Sequence, residues 1–138
     1  MAGFRYLLDT NICIYLIKQK PPEVRQHFER LAVGDIGISA ITVAELMYGV
    51  QKSQRREQNR NALEQFLLPL VIAPFDTRAA TVYGNLRAEL EARGTPIGAL
   101  DMLIAAHALA LNVTLVTNNT KEFRRVSALK LANWVARD

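Results

Sequence analysis

The sequence predicts an α/β fold, a central parallel sheet of four or five short strands with helices on both faces. Three observations predict it. Short apolar runs alternate along the chain with longer amphipathic or apolar segments, the order expected of parallel strands joined by helical crossovers. The length of 138 residues matches the roughly 100 to 200 of one domain. Hydrophobic residues make up 50% and charged residues 22%, and no repeat or low-complexity segment interrupts them, which excludes disordered and fibrous classes.

Phe4 to Leu8 is a short apolar run ending at Asp9, too short for a helix, and predicts the first strand. Ile12, Cys13, Leu16 and Ile17 recur at helical spacing from Thr10 to Lys18; Pro21-Pro22 closes that helix and opens another reaching about Val33. Gly34-Asp35 reads as a turn. Ile36 to Ile41 is the second strand and Thr42 to about Gln51 a helix, with Thr42 as its cap because Thr42-Val43-Ala44-Glu45 has the capping-box spacing. A polar, basic stretch from Lys52 to Arg60 precedes a helix carrying Leu63, Phe66, Leu67 and Leu70, and Leu70 to Ala73 is a candidate strand. Asp76 caps a helix whose apolar positions Ala79, Tyr83, Leu86 and Leu90 follow a three-or-four spacing. Gly94 to Gly98 is a loop, Leu100 to Leu111 an almost wholly apolar buried helix, and Val113 to Thr117 a β-branched strand. Leu129 to Val135 supplies a last edge strand.

Cys13 is the only cysteine, so no intrachain disulfide forms, and with His27 and His107 it lacks the ligand number and spacing of structural zinc. No apolar run approaches the ~18 residues of a membrane span, and Asp9 and Asn11 interrupt the N-terminal apolar stretch where a signal peptide would need its core. A cytoplasmic protein with no membrane association is expected. The net charge of +4 and the pI near 9.5 bias it modestly toward polyanionic partners.

In open parallel sheets ligands bind beyond the carboxyl ends of the strands. Asp9-Thr10-Asn11 follows the first strand, Glu45 lies in the first turn after the second, Asp101 opens the apolar helix, and Thr117-Asn118-Asn119 follows the Val113 strand. Asp9, Glu45, Asp101 and Asn119 can therefore converge, three carboxylates and an amide oxygen, the hard donors that Mg²⁺ or Mn²⁺ prefers. Each also has a structural explanation: Asp9, Asp101 and Asn119 suit N-caps, and Glu45 the reciprocal place of a capping box. Asp101 strains that explanation, because no Lys or Arg lies within a helical turn of it in an otherwise apolar helix, and a buried carboxylate needs a cation or a partner.

Four segments, Leu7-Leu8-Asp9-Thr10-Asn11, Ser39 to Leu46 around Glu45, Gly98 to Ala106 around Asp101, and Leu115 to Phe123 around Asn119, resemble the successive motifs of PIN-domain ribonucleases, and among them VapC toxins. The likeness spans nearly the whole chain, residues 1–138, in the right order. It implies a single PIN-like nuclease domain, and a Mg²⁺- or Mn²⁺-dependent endoribonuclease acting as the toxin of a toxin–antitoxin pair, with structured RNA such as tRNA as substrate class. A small antitoxin that blocks the active site and a homodimer are implied with it. Asp9, Glu45 and Asp101 match the family's three acidic metal-site positions and Asn119 the fourth, where many members carry Asp. Thr10, Asn11 and Thr117 match small polar residues beside the site that orient its carboxylates.

For RNA contact the candidates are Lys52, Arg55, Arg56 and Arg60, with Arg87, Arg93, Arg124 and Arg125; the competing reading is solvated helix faces. Tyr48, three residues past Glu45, reads as a packing residue rather than a base-stacking one, and His107 as a satisfied buried histidine. A haloacid-dehalogenase-type phosphatase fails because Asn11 stands where that pattern needs a second Asp. A receiver domain fails for want of an acidic pair. The remaining alternative is a non-catalytic RNA-binding or protein-interaction module whose acids only cap helices.

Overall fold

Five parallel strands form one sheet in a computed structural model that describes residues 3–135. In chain order they are β1 (Tyr6–Leu8), β2 (Ile36–Ser39), β3 (Val71–Ala73), β4 (Thr114–Val116) and β5 (Leu131–Ala132). Across the sheet they run β3-β2-β1-β4-β5. The chain thus builds outward from β1 on one side, then returns to the other side of β1 with β4. That reversal makes the crevice beyond the carboxyl ends of β1 and β4 the topological switch point.

Alternation along the central strands divides the interior into two cores. Leu7 and Leu115 point to one face, with Leu86 and Leu90 of α5 (Thr77–Ala92) and Met102, Ile104 and Ala105 of α6 (Ala99–Leu111). Leu8 and Val116 point to the other. There they meet α1 (Thr10–Lys18), α2 (Pro22–Glu29), α3 (Ala40–Lys52) and α4 (Arg56–Leu67) through Ile12, Val24, Leu46 and Leu63. A short α7 (Thr120–Phe123) follows β4 and buries Phe123. Strands this short can hold a sheet only because both faces are covered by apolar side chains, the expected state of an all-parallel sheet. Among the described residues no helix is long and apolar enough to cross a membrane.

Most predicted elements stand, with shifted ends. The first strand is shorter than Phe4 to Leu8 because Phe4 leaves the ladder to fill the core. α2 ends at Glu29, and Val33–Asp35 forms a 3₁₀ turn in place of a helix end and turn. The basic stretch from Arg56 to Arg60 lies inside α4 rather than ahead of it. The last strand is two residues long. The second strand stops at Ser39, and the Ser39 hydroxyl caps α3 by accepting the Ile41 N–H at 3.0 Å. Thr42 is therefore not the cap. It lies within the first turn with Leu46 and Val50 on the buried stripe, so no capping box exists for Glu45 to complete.

His107 is buried as expected: its Nδ1 lies 2.8 Å from the Ser39 hydroxyl and its ring meets Phe75 edge-on. Burial lowers its pKa, so the neutral imidazole ties α6 to the capped start of α3.

The β1–β2 pairing needs a glycine at 37, where a Cβ would stand 2.7 Å from the buried Phe4 ring. Gly37→Ala is expected to cost about 1–3 kcal/mol in chemical denaturation by overpacking. Phe4→Leu combined with it should cost less than the two separate changes summed, as for residues in contact.

Candidate active site

The switch-point crevice is furnished first by β1 and β4. Asp9 follows β1 directly, and its backbone N–H continues the ladder to the Val116 carbonyl at 3.0 Å. Its carboxylate N-caps α1 by accepting the Ile12 N–H at 2.9 Å. The capping reading of Asp9 is right, and it does not exhaust the residue. Burial raises its pKa above the ordinary value against the Thr117 hydroxyl and the Ile12 and Asn11 amides, which favour the charged form; the Glu45 charge adds to the rise. Thr117, fully buried, accepts the Asn119 N–H at 2.9 Å and turns its hydroxyl toward Asp9. Asn11 contributes backbone alone, and its side chain is exposed.

Glu45 enters from α3 one turn beyond the real cap. The Thr10 hydroxyl donates to its carboxylate at 2.6 Å, a link from the first turn of α1 to α3 that sequence spacing could not show. Asp101 stands in the first turn of α6, whose N-cap is Gly98 with no side-chain cap. The capping explanation thus fails for Asp101 as it does for Glu45.

A residue outside the predicted set completes the cluster. Glu122, on α7, accepts the Gly98 N–H at 2.7 Å and the Asn119 side-chain amide at 2.8 Å. Asn119 does not cap α7 with its side chain; its amide nitrogen holds Glu122 instead. The signal that could have found Glu122 is its place three residues after Asn119 in a one-turn helix, which puts both on one face.

The charges sort themselves accordingly. Gly98, Asn119 and Arg125 hold the Glu122 carboxyl below its ordinary value, while Asp101 is pushed up to about 6 by burial, then by Glu122, Asp9 and Glu45. The hydrogen bond between the Asp101 and Glu122 carboxyls adds to the rise at Asp101 and to the fall at Glu122. None of the ion pairs among the described residues involves Asp9, Glu45, Asp101 or Glu122. Among the described residues no three such side chains stand close enough to grip a cation unaided. The donor chemistry, carboxylate oxygens near one another with no ion pair among them, fits a hard divalent ion.

The PIN domain family model matches residues 6–129. The chain belongs to the PIN-domain family. This PIN domain is 51% identical to Ribonuclease VapC2 of Rickettsia felis, over 94% of the chain and 97% of the relative. It is 45% identical to the tRNA(fMet)-specific endonuclease VapC of Shigella flexneri, over 94% of the chain and 98% of the relative. Among solved structures it is similar to VapBC of Salmonella typhimurium bound to DNA, with a TM-score of 0.90, 41% identity and coverage of 95% and 98%. It is likewise similar to VapBC2 of Rickettsia felis bound to a fragment of its promoter, with a TM-score of 0.88, 47% identity and coverage of 95% and 99%.

Of the basic candidates in this PIN domain, Lys52, Arg55, Arg56 and Arg60 are exposed at the end of α3 and on α4. Arg87 on α5 and Arg93 just after it lie across the sheet and are paired with Glu91 and Glu89. Arg93 also donates to the Arg125 carbonyl and Arg125 to the Pro96 carbonyl, so these two tie the α5–α6 loop to the segment after α7. Arg124 is exposed beside them. Tyr48 departs from its predicted packing role: it is 64% exposed, with the Lys52 ammonium 5.3 Å from its ring centroid.

Crowded carboxylates make stability depend on pH in EDTA. The folded protein binds a proton at Asp101 that the unfolded chain, with the ordinary value of 3.8, has already lost. The Asp101 contribution to stability should therefore fall as pH rises through about 4.5 to 6, a window above the ordinary 4.5 of Glu122, whose lowered value acts only below it. Asp101→Asn should remove the Asp101 part of this slope, leaving the smaller part from Asp9 and the opposed one from His107, and raise the melting temperature at pH 7 in EDTA. Thermal melts of both proteins across that range check it; a less stable variant with the slope intact would make Asp101 a structural residue.

Proposed function

We propose that this chain is the toxin of a toxin–antitoxin pair, an endoribonuclease that hydrolyses RNA phosphodiester bonds at the acidic switch-point cluster. Mg²⁺ or Mn²⁺ is its cofactor and tRNA its substrate class. The observation that carries the reading is the convergence of Asp9, Glu45, Asp101 and Glu122, none of them in an ion pair among the described residues. A binding module whose acids only cap helices is disfavoured, because Glu45 and Asp101 cap nothing. Support for the substrate class comes from relatives named as a ribonuclease and a tRNA(fMet)-specific endonuclease.

Asp9 and Asp101 face each other across the switch point and would hold the cation, with Glu122 and the Asn119 side-chain oxygen at its margin. When bound, the ion would polarise the scissile phosphate and lower the pKa of an attacking water. The Thr117 hydroxyl favours the charged form of Asp9 and orients it, and the Thr10 hydroxyl fixes the position of the Glu45 carboxylate. Glu45 is then the carboxylate placed to take the proton of the attacking water. No nucleophilic side chain is required.

The partner is a small antitoxin. A groove of about 370 Å³ opens from Thr10 and Glu45 and runs over Ile14, Ile17, Leu46 and Leu63 between α1, α3 and α4. An apolar segment ending in a basic side chain would fill it and neutralise the acids. The structures of similar proteins are VapBC complexes. A homodimer in the cytoplasm belongs to the same reading, and the exposed Leu68, Val71 and Ile72 at the β3 edge offer a surface for it.

RNA cleavage should require Mg²⁺ or Mn²⁺, and Asp9→Asn or Asp101→Asn should lower it by about two orders of magnitude or more with the fold retained. The assay is gel analysis of tRNA incubated with each protein, with and without EDTA, beside circular dichroism. Undiminished cutting by folded Asp101→Asn protein in EDTA would sink the mechanism.

Asn119→Asp would set a fourth-position carboxylate against Glu122. The half-saturating Mn²⁺ concentration should fall, since a charged ligand binds a hard cation better, while the melting temperature in EDTA should also fall. An unchanged Mn²⁺ titration would confine Asn119 to holding Glu122.

A further inference from the structure

Helix α3 presents three stripes. Thr42, Leu46 and Val50 are buried against the sheet. Glu45, Tyr48 and Lys52, at i, i+3 and i+7, share a different stripe. Tyr48 and Lys52 are exposed on it, and Glu45 is half-buried where it meets Thr10. Along the axis Tyr48 lies about 4.5 Å and Lys52 about 10.5 Å beyond Glu45. An aromatic ring left 64% exposed so near a cluster of acids is not serving the core. The Lys52 ammonium lies over that ring at 5.3 Å, and Arg55 and Arg56 follow at the start of α4. None of these three cations is in an ion pair among the described residues.

We infer that Tyr48 and Lys52 form a nucleotide-binding step beside the acidic cluster, the Tyr48 ring stacking a base of the RNA and Lys52 meeting a backbone phosphate. The inference rests on the endoribonuclease reading and assigns part of its substrate path. A polyanion approaching four carboxylates is repelled, so its affinity must come from groups next to them, and this stripe starts at one of the acids and leads into unpaired cations. Stacking on an aromatic face tolerates any base, because every base has a π-face. The step therefore contributes affinity and leaves sequence choice elsewhere. A second copy of the chain is the less suitable occupant: a two-fold contact sets a patch against itself, which would press Lys52, Arg55 and Arg56 of both copies together.

The test titrates a fluorescent single-stranded RNA against wild type, Tyr48→Ala, Tyr48→Phe and Lys52→Ala in EDTA, with sedimentation recording the oligomeric state of each. Tyr48→Ala should weaken binding about ten-fold and Tyr48→Phe should bind like wild type. Lys52→Ala should reduce the slope of log affinity against log salt by about 0.7. Unchanged affinity in Tyr48→Ala, or an affinity lost only together with a change of oligomeric state, would overturn the inference, the latter by giving Tyr48 to a protein contact. If Tyr48→Ala binds as wild type does while both cut RNA on addition of Mn²⁺, the step falls and the nuclease reading stands. A wild type that neither binds nor cuts RNA removes both.

Discussion

Repulsion among carboxylates gathered at one point is the constraint around which this fold is arranged. Asp9, Glu45, Asp101 and Glu122 come from four different helical segments, and burial together with the fields of the other three raises Asp101 to about 6. Like charges half out of water destabilise a compact state unless something fixed opposes them. The opposition here is supplied chiefly by hydrogen-bond donors, with the Arg125 charge adding to it at Glu122. The Ile12 amide meets Asp9, the Gly98 amide meets Glu122, and the Thr10 hydroxyl meets Glu45. Two of these donors are backbone amides at the starts of α1 and α6, where amides have no intrahelical partner and the helix dipole favours negative charge.

The doubly wound sheet makes that arrangement possible. With β1 in the middle and β4 returning to its other side, the segments after β1 and β4 leave the sheet next to each other, and α3 and α6 start at the same edge. Two apolar cores, one on each face, hold these starts in place: α1 and α3 pack against Leu8 and Ile38, α6 against Leu7 and Leu115. The Ser39–His107 hydrogen bond joins the helices of the two faces. An acid-lined crevice between rigid elements suits a hard cation and a phosphate, and the exposed basic end of α3 and start of α4 suits the strand that carries that phosphate.

Capping a helix and joining an acidic cluster are not rival roles in such a place. Asp9 caps α1 with one oxygen and faces the other acids as well. The spacing Thr42-Val43-Ala44-Glu45 imitates a capping box, yet Ser39 is the cap, because β2 ends earlier than its apolar run does. Local pattern cannot tell where a ladder stops: Ala40 and Ile41 are apolar whether they extend the strand or begin the helix. Tyr48 misled for a similar reason, since helical spacing identifies its stripe but not what lies over that stripe.

By itself the sequence determined the alternation of strands and helices, the covered parallel sheet, and the motifs around Asp9, Glu45, Asp101 and Asn119. These follow from periodicity and from residue chemistry within a few positions, and periodicity is a local property of the chain. Only the tertiary structure decided that Glu122 joins the cluster, that Asn119 serves it through an amide hydrogen bond, and that Thr10 reaches Glu45 across 35 positions. It also decided which carboxyl is raised and which lowered, Asp101 against Glu122. Those outcomes depend on distances between segments remote in sequence and on how much water each carboxylate loses, and both are fixed only when the two cores close on the sheet.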